Sequence, residues 1–197
     1  AGASNATLAP DAGGGIAGLV LAGREILRRE TSFDVGKPDP LSLGEFPMAP
    51  WVNRVANGRF VWQGREICVA DGPGHDPQGL HGVCWRMPWA VLAREEHAAV
   101  LGMAWTGGEG WPFHFSFTRR FSLSPEQLSI EATLTNLGSE PMPAALGFHP
   151  YFPSRGATVT ALAEAGWITD PTGLPDRVRD VFERAEAAVA AEDAPRL

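Results

Sequence analysis

Phe113, Phe115 and Phe117 alternate with His114, Ser116 and Thr118, and the segment runs on as Arg119-Arg120-Phe121-Ser122-Leu123. After Ser124-Pro125-Glu126 the alternation resumes with Leu128, Ile130, Ala132 and Leu134. A period of two places every apolar residue on one side only when the backbone is extended, so these are strands with one buried face. Shorter segments repeat the theme. Residues 16–21 and 25–28 flank Ala22-Gly23, residues 60–62 and 67–69 flank Gln63-Gly64-Arg65, and residues 89–92 precede 98–105. Glycine-bearing turns between short apolar runs are hairpin signals. Many such hairpins predict an all-β chain folded as a sandwich of antiparallel sheets. A length of 197 residues suits one domain with a sizeable core.

The end of the chain reads differently. Val178, Val181, Phe182, Ala185 and Val189 recur among Arg, Glu and Ala at helical spacing. That spacing predicts an amphipathic packing helix, dividing the chain into a sandwich over 1–175 and a helical segment over 176–197.

Charge and composition narrow the function. With 16 Lys+Arg against 23 Asp+Glu and no basic run, the formal charge of -7 argues against a nucleic-acid partner, whose phosphates require clustered cations. No apolar run approaches the roughly 20 residues that span a bilayer, so no membrane partner is expected. The first residues lack a positive segment and an apolar core, so no secretory leader is expected there. Two cysteines, Cys68 and Cys84, match no metal or redox spacing. This usage suits a reducing compartment, and the expected location is cytoplasmic.

One imidazole stands out. In Leu146-Gly147-Phe148-His149-Pro150-Tyr151-Phe152, proline fixes the backbone directly after the histidine and biases it toward an extended conformation. The preceding residues 141–145 read as the beginning of a strand. A held histidine is a candidate acid or base, or else a half-buried ring satisfied by backbone groups. Upstream lie Trp51-Val52-Asn53-Arg54, then Gly58-Arg59-Phe60, then Leu80-His81-Gly82 followed by Trp85 and Trp89.

Together these segments resemble the aldose 1-epimerase (galactose mutarotase) family, in particular its bacterial branch, from about residue 19 to 175. Its members carry an Asn-Arg pair before a Gly-Arg-Phe strand, a His-Gly followed by tryptophan, and a His-Pro-Tyr-Phe segment. The resemblance implies the large galactose mutarotase type of β-sandwich. It also implies interconversion of the α and β anomers of a free hexose, with no metal and no redox cofactor. By the same resemblance His149 is the general acid at the ring oxygen, His81 the second imidazole near it, and Arg54, with Asn53, a sugar-binding group. Trp51 and Trp85, beside the matched segments, are candidates for ligand contact, although large aromatics mainly fill cores. From the residues alone, Arg54 has the alternative of pairing with a carboxylate such as Glu45.

The family's catalytic base is a glutamate in a late strand, near a substrate-binding aspartate, and neither is matched in this sequence. Glu164, Glu183 and Glu186 stand in other contexts, and Asp170 reads as a turn residue. Two rival readings follow. One is a non-catalytic carbohydrate-binding or regulatory module on the same fold. The other is a hexose-6-phosphate 1-epimerase, which needs a cationic pocket drawn from residues such as Arg59, Arg65 and Arg86. Open sheet edges favour a homo-oligomer.

Overall fold

The computed structural model describes residues 3–29, 39–153, 158–161, 165–180 and 185–188. Contacts divide the chain into two units, Ala1–Phe152 and Pro153–Leu197.

The first unit is the antiparallel sandwich. One sheet runs in the order β1 (Asn5–Ala9), β2 (Gly15–Leu21), β4 (Glu45–Met48), β11 (Gly147–Pro150), with β3 (Arg24–Glu25) paired to β2. The other runs β10 (Leu128–Asn136), β9 (His114–Leu123), β8 (Ala98–Thr106), β7 (Ala90–Arg94). A hairpin of β5 (Arg59–Trp62) and β6 (Arg65–Cys68) completes the unit. Two hairpin turns expected from sequence form as written. Ala22-Gly23 joins Leu21 to Arg24 and Gln63-Gly64 joins Trp62 to Arg65, all four turn residues having positive φ, as tight hairpin turns require. Residues 141–146 are not a strand. The strand begins only at Gly147 and contains His149.

The alternation in β9 has the predicted result. Phe115, Phe117 and Phe121 are buried beside Leu101, Met103 and Ile16, while His114, Arg120 and Ser122 are exposed. Each buried phenylalanine contributes on the order of 2 kcal/mol. Arg119 occupies an inward register between Phe117 and Phe121 and is 0% exposed. It crosses to the facing sheet, where one terminal nitrogen donates to both oxygens of the buried Glu45 carboxylate at 2.8 and 2.7 Å. The other donates to the Gly14 carbonyl at 2.6 Å. Burial pushes the Glu45 carboxyl upward, against the opposing pull of Arg119. Glu45 is therefore not the partner of Arg54.

A close backbone crossing anchors the loop that carries His81. The amides of Val83 and Cys84 both donate to the Ala49 carbonyl, at 2.9 and 3.1 Å, and Gly82 lies directly against that group with φ +79°. A Cβ at Gly82 would fall on the Ala49 carbonyl, in a backbone region that side chains avoid. Gly82→Ala is expected to cost more than about 2 kcal/mol, read from urea unfolding. An unchanged midpoint would refute this account of the crossing.

The second unit corrects the helix expected within 176–197. Its described residues are strands: β13 (Ala165–Thr169) pairs with β14 (Pro175–Asp180), and β12 (Thr158–Ala161) with β15 (Ala185–Ala188). Residues 181–184 and 189–197 of that segment lie outside the described residues. The turn before β14 explains the reversal. The Asp170 carboxylate accepts from the Thr172 amide and hydroxyl and from the Leu174 amide, closing a turn that returns the chain onto β13.

Candidate active site

Pairing of β11 with β4 places His149 opposite Phe46. The two rings stack with centroids 4.6 Å apart and planes 16° apart, and Tyr151 packs against the imidazole from a second direction at 4.7 Å. Tyr151 is itself pinned. The Arg28 guanidinium lies 3.9 Å from its ring centre and donates from one nitrogen to the carbonyls of Leu41 and Leu43. The Arg28 amide also donates to the Tyr151 carbonyl at 2.7 Å. His149 is thus held by packing, with Nδ1 buried and unbonded to any other described residue.

His81 reaches the same place from the loop after Leu80. His81 and Asn53, both with left-handed φ, face each other in a reciprocal pair. The His81 amide donates to the Asn53 carbonyl, and the Asn53 amide donates to His81 Nδ1, both at 3.1 Å. Because Nδ1 accepts a hydrogen bond, the neutral ring carries its proton on Nε2 and presents a donor. The His81 ring meets His149 edge-on, centroids 5.2 Å apart, and meets Phe46 at 5.9 Å.

Two neighbouring imidazoles in a half-buried setting resist protonation. Burial, then the nearby His149 and Arg54 charges, lower His81 to about 4. Burial first, with the Arg28 charge adding to it, lowers His149 as well. Both rings are therefore neutral near pH 7. Stability follows from linkage. An unfolded imidazole takes its proton near 6.5 but folded His81 only near 4, so acid favours the unfolded chain across that interval. The His81 contribution is complete above pH 6.5 and is lost as pH falls toward 4, with His149 acting in the same sense. Glu45, whose pKa is raised, works in the opposite sense, so the comparison must be differential. Thermal melts of the protein and of His81→Gln are expected to converge progressively as pH drops through that window. A constant difference from pH 7 to 4 would contradict the neutral assignment.

With this geometry in place, similarity to known proteins becomes informative. Residues 4–193 match the aldose 1-epimerase family. The chain belongs to the aldose 1-epimerase family. It is 33% identical over 124 residues to the uncharacterized protein YphB of Escherichia coli K12, an alignment covering 62% of this chain and 42% of YphB. A crystal structure described as a "putative aldose 1-epimerase" from E. coli K12 is 27% identical, with a TM-score of 0.81 over 92% of this chain and 60% of that one. A galactose mutarotase-like protein from Clostridium acetobutylicum, 22% identical with a TM-score of 0.76, shares the fold over 91% of this chain and 60% of its own. The chain thus spans well under two thirds of the length of these relatives.

The other sequence candidates of this epimerase-family chain fall in several places. Arg54 stands on the turn next to His81, with its Nε bonded to Asp76 Oδ2 at 3.1 Å. Asn53 is exposed and contributes its backbone to the His81 contact. Trp51 and Trp85 are core residues, 7% and 3% exposed. Trp51 packs on Trp111, while Trp85 packs under Phe46 with its indole nitrogen donating to the Leu80 carbonyl. Little of either ring is left for a ligand. Arg59 and Arg65 sit at opposite ends of the β5–β6 hairpin, so they form no common pocket. Phe46, Arg28 and Asp76 escaped the sequence reading. Phe46 sits in an apolar run that signals only burial, and Asp76 in a Gly/Pro loop that signals only a turn.

Proposed function

We propose that this site binds a free hexose and carries out the proton-donating half of anomer interconversion. The observation that supports this reading is the convergence of His81 and His149, from separate elements, beside Arg54. In the proposed reaction, the C1–O5 bond breaks as the ring oxygen receives a proton from His149 and the C1 hydroxyl passes its proton to solvent water, the O–H electron pair forming the C1 carbonyl. The resulting aldehyde rotates about C1–C2 and closes on its other face. His81 acts as a fixed neutral donor to the sugar, since its free Nε2 bears the proton. His149 delivers the proton to the ring oxygen; its lowered pKa leaves the ring mostly neutral near pH 7, so the donating imidazolium is the minor form, a stronger acid whose share grows as pH falls. Arg54 directs terminal guanidinium nitrogens at sugar hydroxyls.

A second reading, sugar binding without turnover, is favoured by a specific feature. The charges that lower His81 are those of His149 and Arg54, and the charge that lowers His149 is that of Arg28, with no carboxylate among them. Of the glutamates considered as a base, Glu164 and Glu183 lie outside the described residues, and Glu186 is in β15 of the second unit. Polarimetry of freshly dissolved α-glucose and α-galactose separates the two readings. Acceleration over buffer supports the epimerase, binding without acceleration supports the module, and neither rejects the sugar site. Self-association belongs to the same proposal, because edge strand β11 and its flanks expose Leu146, Phe148 and Phe152. Sedimentation velocity over a concentration series measures it.

A further inference from the structure

We propose that Asp76 is a positioning residue of this site, acting through Arg54; the proposal rests on the sugar-binding reading above. Arg54 and Asp76 are 22% and 24% exposed and meet through a single bond, Nε to Oδ2 at 3.1 Å. Among the described residues, the terminal nitrogens of Arg54 donate to no protein group. A guanidinium is a rigid planar fork, so anchoring Nε fixes the plane and leaves its two outer nitrogens oriented and available. That is the geometry required of a group that reads vicinal hydroxyls.

Asp76 is fixed in turn. Its Oδ1 accepts from the Gln78 amide at 3.0 Å, and its carbonyl accepts from Gly72 and Gly79 at 2.7 and 3.2 Å. The loop it organises is joined to the turn carrying Arg54 by the Val55 amide on the Gln78 carbonyl at 2.7 Å and by the Asn53–His81 pair. One carboxylate therefore ties the orientation of Arg54 to the loop that delivers His81. A partly exposed single-contact ion pair contributes little to stability, so an ordinary structural role predicts almost no consequence for the site.

The test combines two measurements on the full chain. In NMR spectra, the Arg54 Nε–H is expected to be slowly exchanging in the native protein and lost or broadened in Asp76→Ala. In calorimetric titration with galactose and glucose, Asp76→Ala is expected to lower affinity about tenfold, yet to change it less than about twofold in an Arg54→Lys background. Asp76→Asn, which keeps an acceptor for the Gln78 amide, replaces the alanine variant if that one does not fold. An Arg54 Nε–H signal unaffected by Asp76→Ala overturns the proposal whatever the sugar does. So does full affinity in Asp76→Ala, or losses that simply multiply in the double variant. If the native protein binds neither sugar while the Nε–H signal responds as expected, the sugar reading itself has failed and the role of Asp76 falls with it.

Discussion

Arg119→Met is expected to destabilise the sandwich by about 3–5 kcal/mol at pH 7, because it leaves the Glu45 carboxylate buried without its cation. The arginine is 0% exposed and Glu45 is 2% exposed, so water cannot replace the lost bonds without opening the interface between the sheets. The Gly14 carbonyl also loses its donor. The penalty has a predictable pH dependence. Burial raises the Glu45 carboxyl, and removing Arg119 removes the effect that opposed this rise. A raised carboxyl is neutral in the fold while the unfolded one ionises, so the cost is full near pH 7 and shrinks as pH falls toward 4.5. Replacing both partners, Glu45→Met with Arg119→Met, is expected to recover most of the loss, since two apolar groups leave no charge to desolvate. Urea titrations of the three variants measure this. A single variant within 1 kcal/mol of the native protein would show that the pair is not carrying the sheet contact.

That pair also shows how far the sequence could be read. The alternation in β9 located the strand and its buried face from Phe115, Phe117 and Phe121. The same register put Arg119 inward, but only its partner explains why a guanidinium is tolerated there. The partner lies 74 residues away in sequence, in a strand with Pro47 at its centre that carries little strand signal of its own. Tight turns were legible because they are local: Ala22-Gly23 and Gln63-Gly64 need no distant partner. The helix within 176–197 was misread for the complementary reason. Apolar spacing describes which residues share a face only once the backbone is known, and the turn built on Asp170 directs Pro175–Asp180 onto β13. At the site, His81, His149 and Arg54 were visible as motif residues. Phe46, Tyr151 and Arg28, which hold His149 in place, become evident only when β4 and β11 are paired. Trp51 and Trp85 lie beside matched segments yet are buried, since proximity in sequence to a motif says nothing about which side of the backbone a ring occupies.

If the protein accelerates mutarotation, His149→Asn is expected to reduce the catalysed rate by about 100-fold or more, the usual worth of a positioned acid or base. The variant should still fold. The imidazole is half-buried and its losses are stacking on Phe46 and Tyr151, so the stability change is expected to be about 1–2 kcal/mol, far below that of breaking the Arg119–Glu45 pair. Asparagine retains a polar group near the position of Nδ1 but has nothing at the position of Nε2, the atom proposed to carry the transferred proton. Hydrogen bonding from the His81 side survives, and sugar affinity is expected to fall much less than the rate. This separation distinguishes proton transfer from packing. A packing role would lower affinity and rate together, in proportion to the loss of stability, whereas an acid role lowers the rate with the sugar still bound. Polarimetric rates at saturating galactose, alongside calorimetric affinities for the same variant, decide between them. Full activity in His149→Asn would remove the residue from the mechanism and leave His81, with its proton locked on Nε2, as the candidate donor to the ring oxygen.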